Sequence, residues 1–461
     1  MRRKVISIIL LATLVFNMVG CGKAEPAKPQ EPGQQQNTGN EAREDLDSGN
    51  GADTEDTKPF EGVTLSLMLT NTSGMEGLQA VIEKAEEKFG FKIELDNTGS
   101  GGTEYNSLVR TRLISGEMAD ILYYNAGAVL KKQHPEDYFM DLSGNKAIME
   151  RLDETFIKTV SVGKETYGVP VSSSQAGGIL YNKAKYKELG LEVPHTWADF
   201  LANCEKAKEA GETAVISSFG SGWCQIVPSL GNYYNVHSAY PDFAERLEAG
   251  KAKFAELPEA TKSISKCADL IPYINEDFMA TTYDDACDRF AQGEGVHFIM
   301  LTQALSNIYS LYGKEVTDNI GVFGVPGDNP DDHGLTIWMP NCLYGNKDSK
   351  NKDAIMAFFE FYISDEALDT YASFSPPDGP YLVKGFEMPE NVYPLVKEDM
   401  QAYFDAGKVY PAMEFEVSLE DGQFAALISE LTLGVISTEK AAQTYDENLK
   451  QSAIQLGYQW D

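Results

Sequence analysis

Between residues 63 and 124 the apolar side chains recur at strand spacing, then at helical spacing, then at strand spacing again. "VTLSLML" sets Val63, Leu65, Leu67 and Leu69 at period two, which predicts a strand. "GLQAVIEKAEEKFG" puts Leu78, Val81, Ile82, Ala85 and Phe89 on one face of a helix that Gly90 stops. "FKIEL" predicts a second strand and "TEYNSLVRTRLISG" a second helix through Tyr105, Leu108, Val109 and Leu113. "DILYY" is an unbroken apolar strand, as expected where helices cover both sheet faces. Strand, helix, strand, helix, strand in that order requires right-handed crossovers and a parallel sheet.

The order resumes after residue 172. "GGILYN" predicts a strand, and Thr196 with Asp199 three residues on predicts a capped start for the helix "WADFLANCEKAKEAG". "AVISSF" and "GEGVHFIML" predict further strands. "KDAIMAFFEFYISDEA" predicts one amphipathic helix, and a closing helix runs through Ala442, Tyr445, Leu449 and Ala453. Two α/β assemblies follow, and the roughly 400 residues after residue 60 suit two cores better than one.

The N-terminus asks for a different reading. Arg2, Arg3 and Lys4 precede a mostly apolar run, residues 5–19, that is too short to span a hydrocarbon core of about 30 Å comfortably. With Gly20 and then Cys21, the run resembles a bacterial lipoprotein signal, with Met18 and Val19 where Leu and a small residue are usual. The resemblance implies that residues 1–20 are removed and that Cys21 is acylated. Residues 21–60 are rich in Gly, Gln, Asn, Pro and acids; such a segment cannot bury enough to order itself and is expected to be a tether.

Acids dominate the whole chain, with a formal net charge of −32. A body so acidic repels nucleic acid and anionic lipid, which leaves neutral or cationic ligands as partners. Cys204, Cys224, Cys267, Cys287 and Cys342 are odd in number and irregular in spacing, and read as buried thiols. The five histidines are scattered without HExxH, "DNPDDHG" breaks EF-hand spacing at Pro330, and "TGSGGTEY" lacks the Lys and Ser/Thr that close a phosphate loop. No metal and no cofactor is expected. Paired carboxylates for glycoside hydrolysis meet only in space, so a surface carbohydrate hydrolase stays open.

Aromatic and amide residues gather where strands end: Tyr123, Tyr124 and Asn125; Ser218, Phe219 and Trp223; Trp338. Open sheets bind ligands beyond their carboxyl strand ends, and aromatic faces with Ser, Thr, Asn and Gln suit sugar rings and hydroxyls. Any one of these rings serves equally well as core.

The stretches "FGFKIEL", "RLISGEMADILYY" followed by "MDLSG", "GKETYGVPVSSSQAGGILYNKAKYKELGLEVPHTWADFLANCEKAKEAG", "FAQGEGVHFIMLTQALSNI" and "SKNKDAIMAFFEFYISDEA" resemble the extracellular solute-binding proteins of sugar ABC importers, the maltose-binding-protein group. The resemblance covers residues 61–461. It implies an α/β, two-lobed periplasmic-binding-protein-like fold with an interlobe cleft and a hinge. Lobe 1 would comprise 61–171 and 335–388, lobe 2 172–334 and 389–461, with crossings near 171–172, 335–339 and 389. Ligand contacts carried over are Asn71, Thr72, Tyr124, Asn125, Ser173, Ser174, Gln175, Trp223, Thr302, Gln303 and Trp338. Many relatives have Trp where this chain has Gln303, so the sugar's identity is not implied. The function implied is a monomeric, lipid-anchored receptor on the extracytoplasmic face of the membrane, capturing a neutral solute, an oligosaccharide, and passing it to ABC permease subunits. A peptide or cationic ligand is the alternative within that class.

Overall fold

The strand at Thr64–Leu69 forms as its period-two pattern requires, and its neighbours define the first of two sheets. In the computed structural model, which describes residues 58–70, 75–99, 102–374 and 376–460, it pairs in parallel with Lys92–Asn97 on one side and Ile121–Tyr124 on the other. Two returning strands complete this sheet: Cys342–Gly345 antiparallel to Ile121–Tyr124, and Gly168–Pro170 antiparallel to Cys342–Gly345. The expectation of a parallel sheet therefore holds for the three N-terminal strands only. Cys342–Gly345 reaches the sheet from the opposite end, because the chain arrives there from the second lobe.

The second sheet is built round the eight-residue strand Gln175–Asn182. Along one edge lies Gly295–Leu301; along the other lie Leu335–Trp338 near its start and Ile320–Phe323 near its end, all antiparallel. Thr213–Ile216 and Val409–Pro411 form the outer strands, each parallel to its neighbour. Leu335–Trp338 thus belongs to the second sheet, and the chain passes to the first between Met339 and Asn341, a few residues later than the expected crossing. The last connection runs from Pro376 to Tyr393: on it Val383 still bridges Leu152 of the first lobe, and the ring of Tyr393 meets Tyr309 of the second at 5.8 Å.

The helices obey the local rules that predicted them. Leu78, Val81, Ile82 and Ala85 of Met75–Phe89 are buried against the first sheet, and Ala442, Tyr445, Leu449 and Ala453 of Thr438–Gln455 are buried in the second lobe. Thr196 caps Trp197–Glu209, its hydroxyl accepting the Asp199 N–H at 3.1 Å. The single helix expected across 352–367 is two, Lys352–Tyr362 and Asp365–Phe374. Ser364 makes the break, its hydroxyl accepting the Ala367 N–H as a new N-cap that competes with continued helix. The five cysteines are free and buried, as their spacing suggested. Among the described residues no helix is long and apolar enough to cross a membrane.

Candidate ligand-binding site

Three connections carry the chain between the sheets, and hydrogen bonds lace them side by side. Val171 N–H donates to Asn341 O at 2.9 Å, and Ser174 donates to Pro380 O through both its N–H (3.0 Å) and its hydroxyl (2.8 Å). A Cβ on Gly379 would stand 2.3 Å from Ser174 O, so this approach of two backbones requires glycine. The crossings form one joined strip.

Against the strip, between the sheets, lies a cavity of about 430 Å³. The first lobe supplies Tyr123 from the end of its third strand and Tyr371 from Asp365–Phe374. The second lobe supplies Gln175 from the start of its long strand, Tyr283 from the start of Tyr283–Ala291, and Gln303, Ser306 and Asn307 from the start of Ala304–Tyr312. The crossings add Ser172, Ser173, Asn341 and Asp378. Tyr283 is placed by its helix's capping box, Thr282 with Asp285, and its own N–H donates to Ser221 Oγ at 2.9 Å. Asn341 Nδ2 donates to Tyr123 Oη at 3.1 Å, so the crossing orients that ring's hydroxyl.

Among the described residues the wall is almost without charge: amides, hydroxyls, tyrosine rings, prolines and Met339 surround a single carboxylate, with no Lys, Arg or His. Asp378 accepts Ser306 Oγ–H at 2.6 Å and its backbone N–H donates to Ser173 Oγ at 3.2 Å. Burial pushes its carboxyl up to about 7, against the lowering by hydrogen bonds from Ser306 and Gln175.

Of the residues expected at a site, Ser173, Gln175 and Gln303 line this cavity together. Trp223 does not line it; it is 41% exposed, and its ring lies 5.1 Å from that of the lining residue Tyr283. The others are placed elsewhere. Ser174 is buried and pins Pro380, as above. Thr302 is buried and accepts the Ala176 N–H at 2.9 Å, a structural tie between neighbouring strands. Trp338 is buried over Gly177, and its hydrogen bond favours the ionised Glu414 carboxylate. Tyr124 points into the first lobe, its hydroxyl donating to Asn106 Oδ1 at 2.8 Å and accepting from Gln133. Asn125 lines a second, largely apolar cavity of about 390 Å³. It lies where the lobes meet through Gly127 packed on Phe415 and Lys132 paired with Glu420. Asn71 and Thr72 lie outside the described residues, as do Cys21 and nearly all of the expected tether.

Sequence reasoning missed Tyr283, Ser306, Asn307, Asn341, Tyr371 and Asp378 as site residues. One signal was available: "PPDGP" (376–380) is a turn-forming cluster after an apolar helix, the punctuation expected where a chain changes lobes.

Two laced α/β lobes with a polar cavity between them have the architecture of a solute-binding protein. The chain belongs to the bacterial extracellular solute-binding protein family, which it matches over residues 70–369. It is 23% identical over 319 residues to the multiple sugar-binding protein of Streptococcus mutans, covering 66% of this chain and 72% of that one. Among solved structures it is similar in fold to a chitin oligosaccharide binding protein (TM-score 0.70, 21% identity, 85% of this chain and 99% of that one). It is likewise similar to the apo form of RafE from Streptococcus pneumoniae (TM-score 0.70, 17% identity, 86% and 100%).

Proposed function

We propose that this chain is a lipid-anchored receptor of an ABC importer that captures a neutral oligosaccharide between its lobes and delivers it to the permease. The observation that carries the reading is the composition of the cavity wall: tyrosine rings with Ser, Asn and Gln from the lobes and the crossings, and no basic group among the described residues. Rings of tyrosine stack on the C–H faces of a sugar, and neutral amides and hydroxyls both donate to and accept from its hydroxyl groups. Relatives support the ligand class, since solved structures of similar fold hold raffinose in RafE and stachyose in a Bacillus licheniformis sugar transporter component. Ser173, Gln175, Gln303, Asn307, Tyr283 and Tyr371 would contact the sugar. Trp223 would extend the stacking surface outward for a further ring. Closure follows if the ligand touches both lobes at once, because it then binds the closed form more tightly than the open one.

A thermal-unfolding screen tests the reading. A neutral oligosaccharide present at a hundred times its dissociation constant should stabilise the protein by about 2.7 kcal/mol. Absence of any shift across raffinose, stachyose and chitin oligosaccharides, with a shift from polyamines or short basic peptides instead, would replace the sugar reading by a cationic one.

The anchor is tested separately. Cys21→Ser should leave the protein in the soluble fraction or unprocessed, while the wild type partitions into detergent at a mass raised by acyl chains. Equal partitioning and mass of the two would remove the lipid from the account.

A further inference from the structure

We infer that Asp378 sets the charge specificity of the cavity: its carboxylate receives hydroxyl hydrogens of a neutral sugar and turns away sugars that carry a carboxylate or phosphate. The inference rests on the neutral-sugar reading above and adds to it the residue that reads charge.

Among the described residues Asp378 is the only carboxylate in the cavity wall, and none of them supplies a cation to neutralise it or to receive an anionic ligand. The titratable groups facing it are the phenols of Tyr283, Tyr371, Tyr381 and Tyr393, each held protonated by burial and by the carboxylate itself. An ionised carboxylate offers about four acceptor positions. Ser306 occupies one of them from the second lobe and Gln175 favours the ionised form from the same side, which leaves capacity for donors from a ligand. Its position is fixed by construction: the neighbouring Gly379 backbone lies against Ser174 O, and its own N–H is tied to Ser173 Oγ. It therefore meets whatever enters the cavity from a joint shared by both lobes. Burial raises the carboxyl to about 7, the behaviour of an acceptor short of donors, and hydroxyl groups are donors. A second negative charge a few ångströms away would repel it across a medium that screens poorly.

The test uses calorimetry with raffinose, stachyose and tri-N-acetylchitotriose, and with each of these oxidised to the uronate at its terminal primary hydroxyl. It compares the wild type, Asp378→Asn and Ser306→Ala. At about pH 8.5, where the Asp378 carboxyl is ionised, the wild type should bind at least one neutral probe and should bind its uronate about 100-fold more weakly or worse. Asp378→Asn keeps the shape and removes the charge, so it should fold, as thermal unfolding will report. It should lose roughly 10- to 100-fold for the neutral sugar and narrow the gap between sugar and uronate to less than about 10-fold. Wild-type affinity for the neutral sugar should also fall as pH drops below 7, where the carboxylate takes up a proton, and the Asn variant should show no such fall. Ser306→Ala should weaken the neutral sugar less and keep the discrimination. A folded Asp378→Asn with unchanged affinity and unchanged discrimination overturns the inference while the sugar reading stands. Failure of every neutral probe to bind the wild type overturns the sugar reading, and this inference with it.

Discussion

Gly177→Ala is expected to destabilise the protein by about 3 kcal/mol, through overpacking against a ring that has no room to withdraw. A Cβ there would stand 2.2 Å from Trp338 Cζ3 and 2.8 Å from Cη2. The cause is the strand register: Trp338 pairs with Gln175, so Gly177 is its diagonal neighbour and the indole lies across the space that a side chain would fill. Trp338 is buried and tied to Glu414, and it leads directly into the crossing at Met339 and Asn341. Displacing it disturbs both the second sheet and the cavity floor. Gly222→Ala is the control, since nothing lies within 4 Å of the added carbon, and it should change stability by less than about 0.5 kcal/mol. Denaturant unfolding of the two variants checks the pair; equal stability would mean that Trp338 repacks freely.

The elements of this fold were legible because each is dictated locally. Period-two runs, helical stripes and caps such as Thr196 with Asp199 are written in adjacent residues, and apart from the break at Ser364 the structure places them where those rules put them. Topology was less so. Cys342–Gly345 and Leu335–Trp338 belong to different sheets although only three residues separate them, and no local pattern records that a chain crosses there. The site was legible where it coincides with the start of a strand, at Ser173 and Gln175, and at the helix start marked by Gln303. Tyr123 and Tyr124 show why it failed elsewhere. In a strand buried on both faces, alternation carries no label for which face looks into the cleft. Tyr123 lines the cavity, whereas Tyr124 satisfies its hydroxyl inside the lobe. Asp378 reaches the cavity because the third crossing folds back on the first, a contact between residues about 200 positions apart in the chain.

Tyr283→Ala is expected to lower affinity for the neutral sugar by about 10- to 100-fold, corresponding to the 1–3 kcal/mol that a buried aromatic platform contributes through area and ring contact. The ring lines the cavity on one side and meets Trp223 at 5.1 Å on the other, so truncating it removes one stacking surface and the support of the next. Some folding stability will be lost as well, because the ring packs on the core, and affinity must be measured at a temperature where the variant is fully folded. The decisive measurement is a calorimetric titration of wild type and Tyr283→Ala with the neutral oligosaccharide that gives the larger thermal shift. A dissociation constant at least tenfold weaker in the folded variant is the predicted result. The same dissociation constant in both proteins would place the ligand outside the cavity between the lobes and contradict the account.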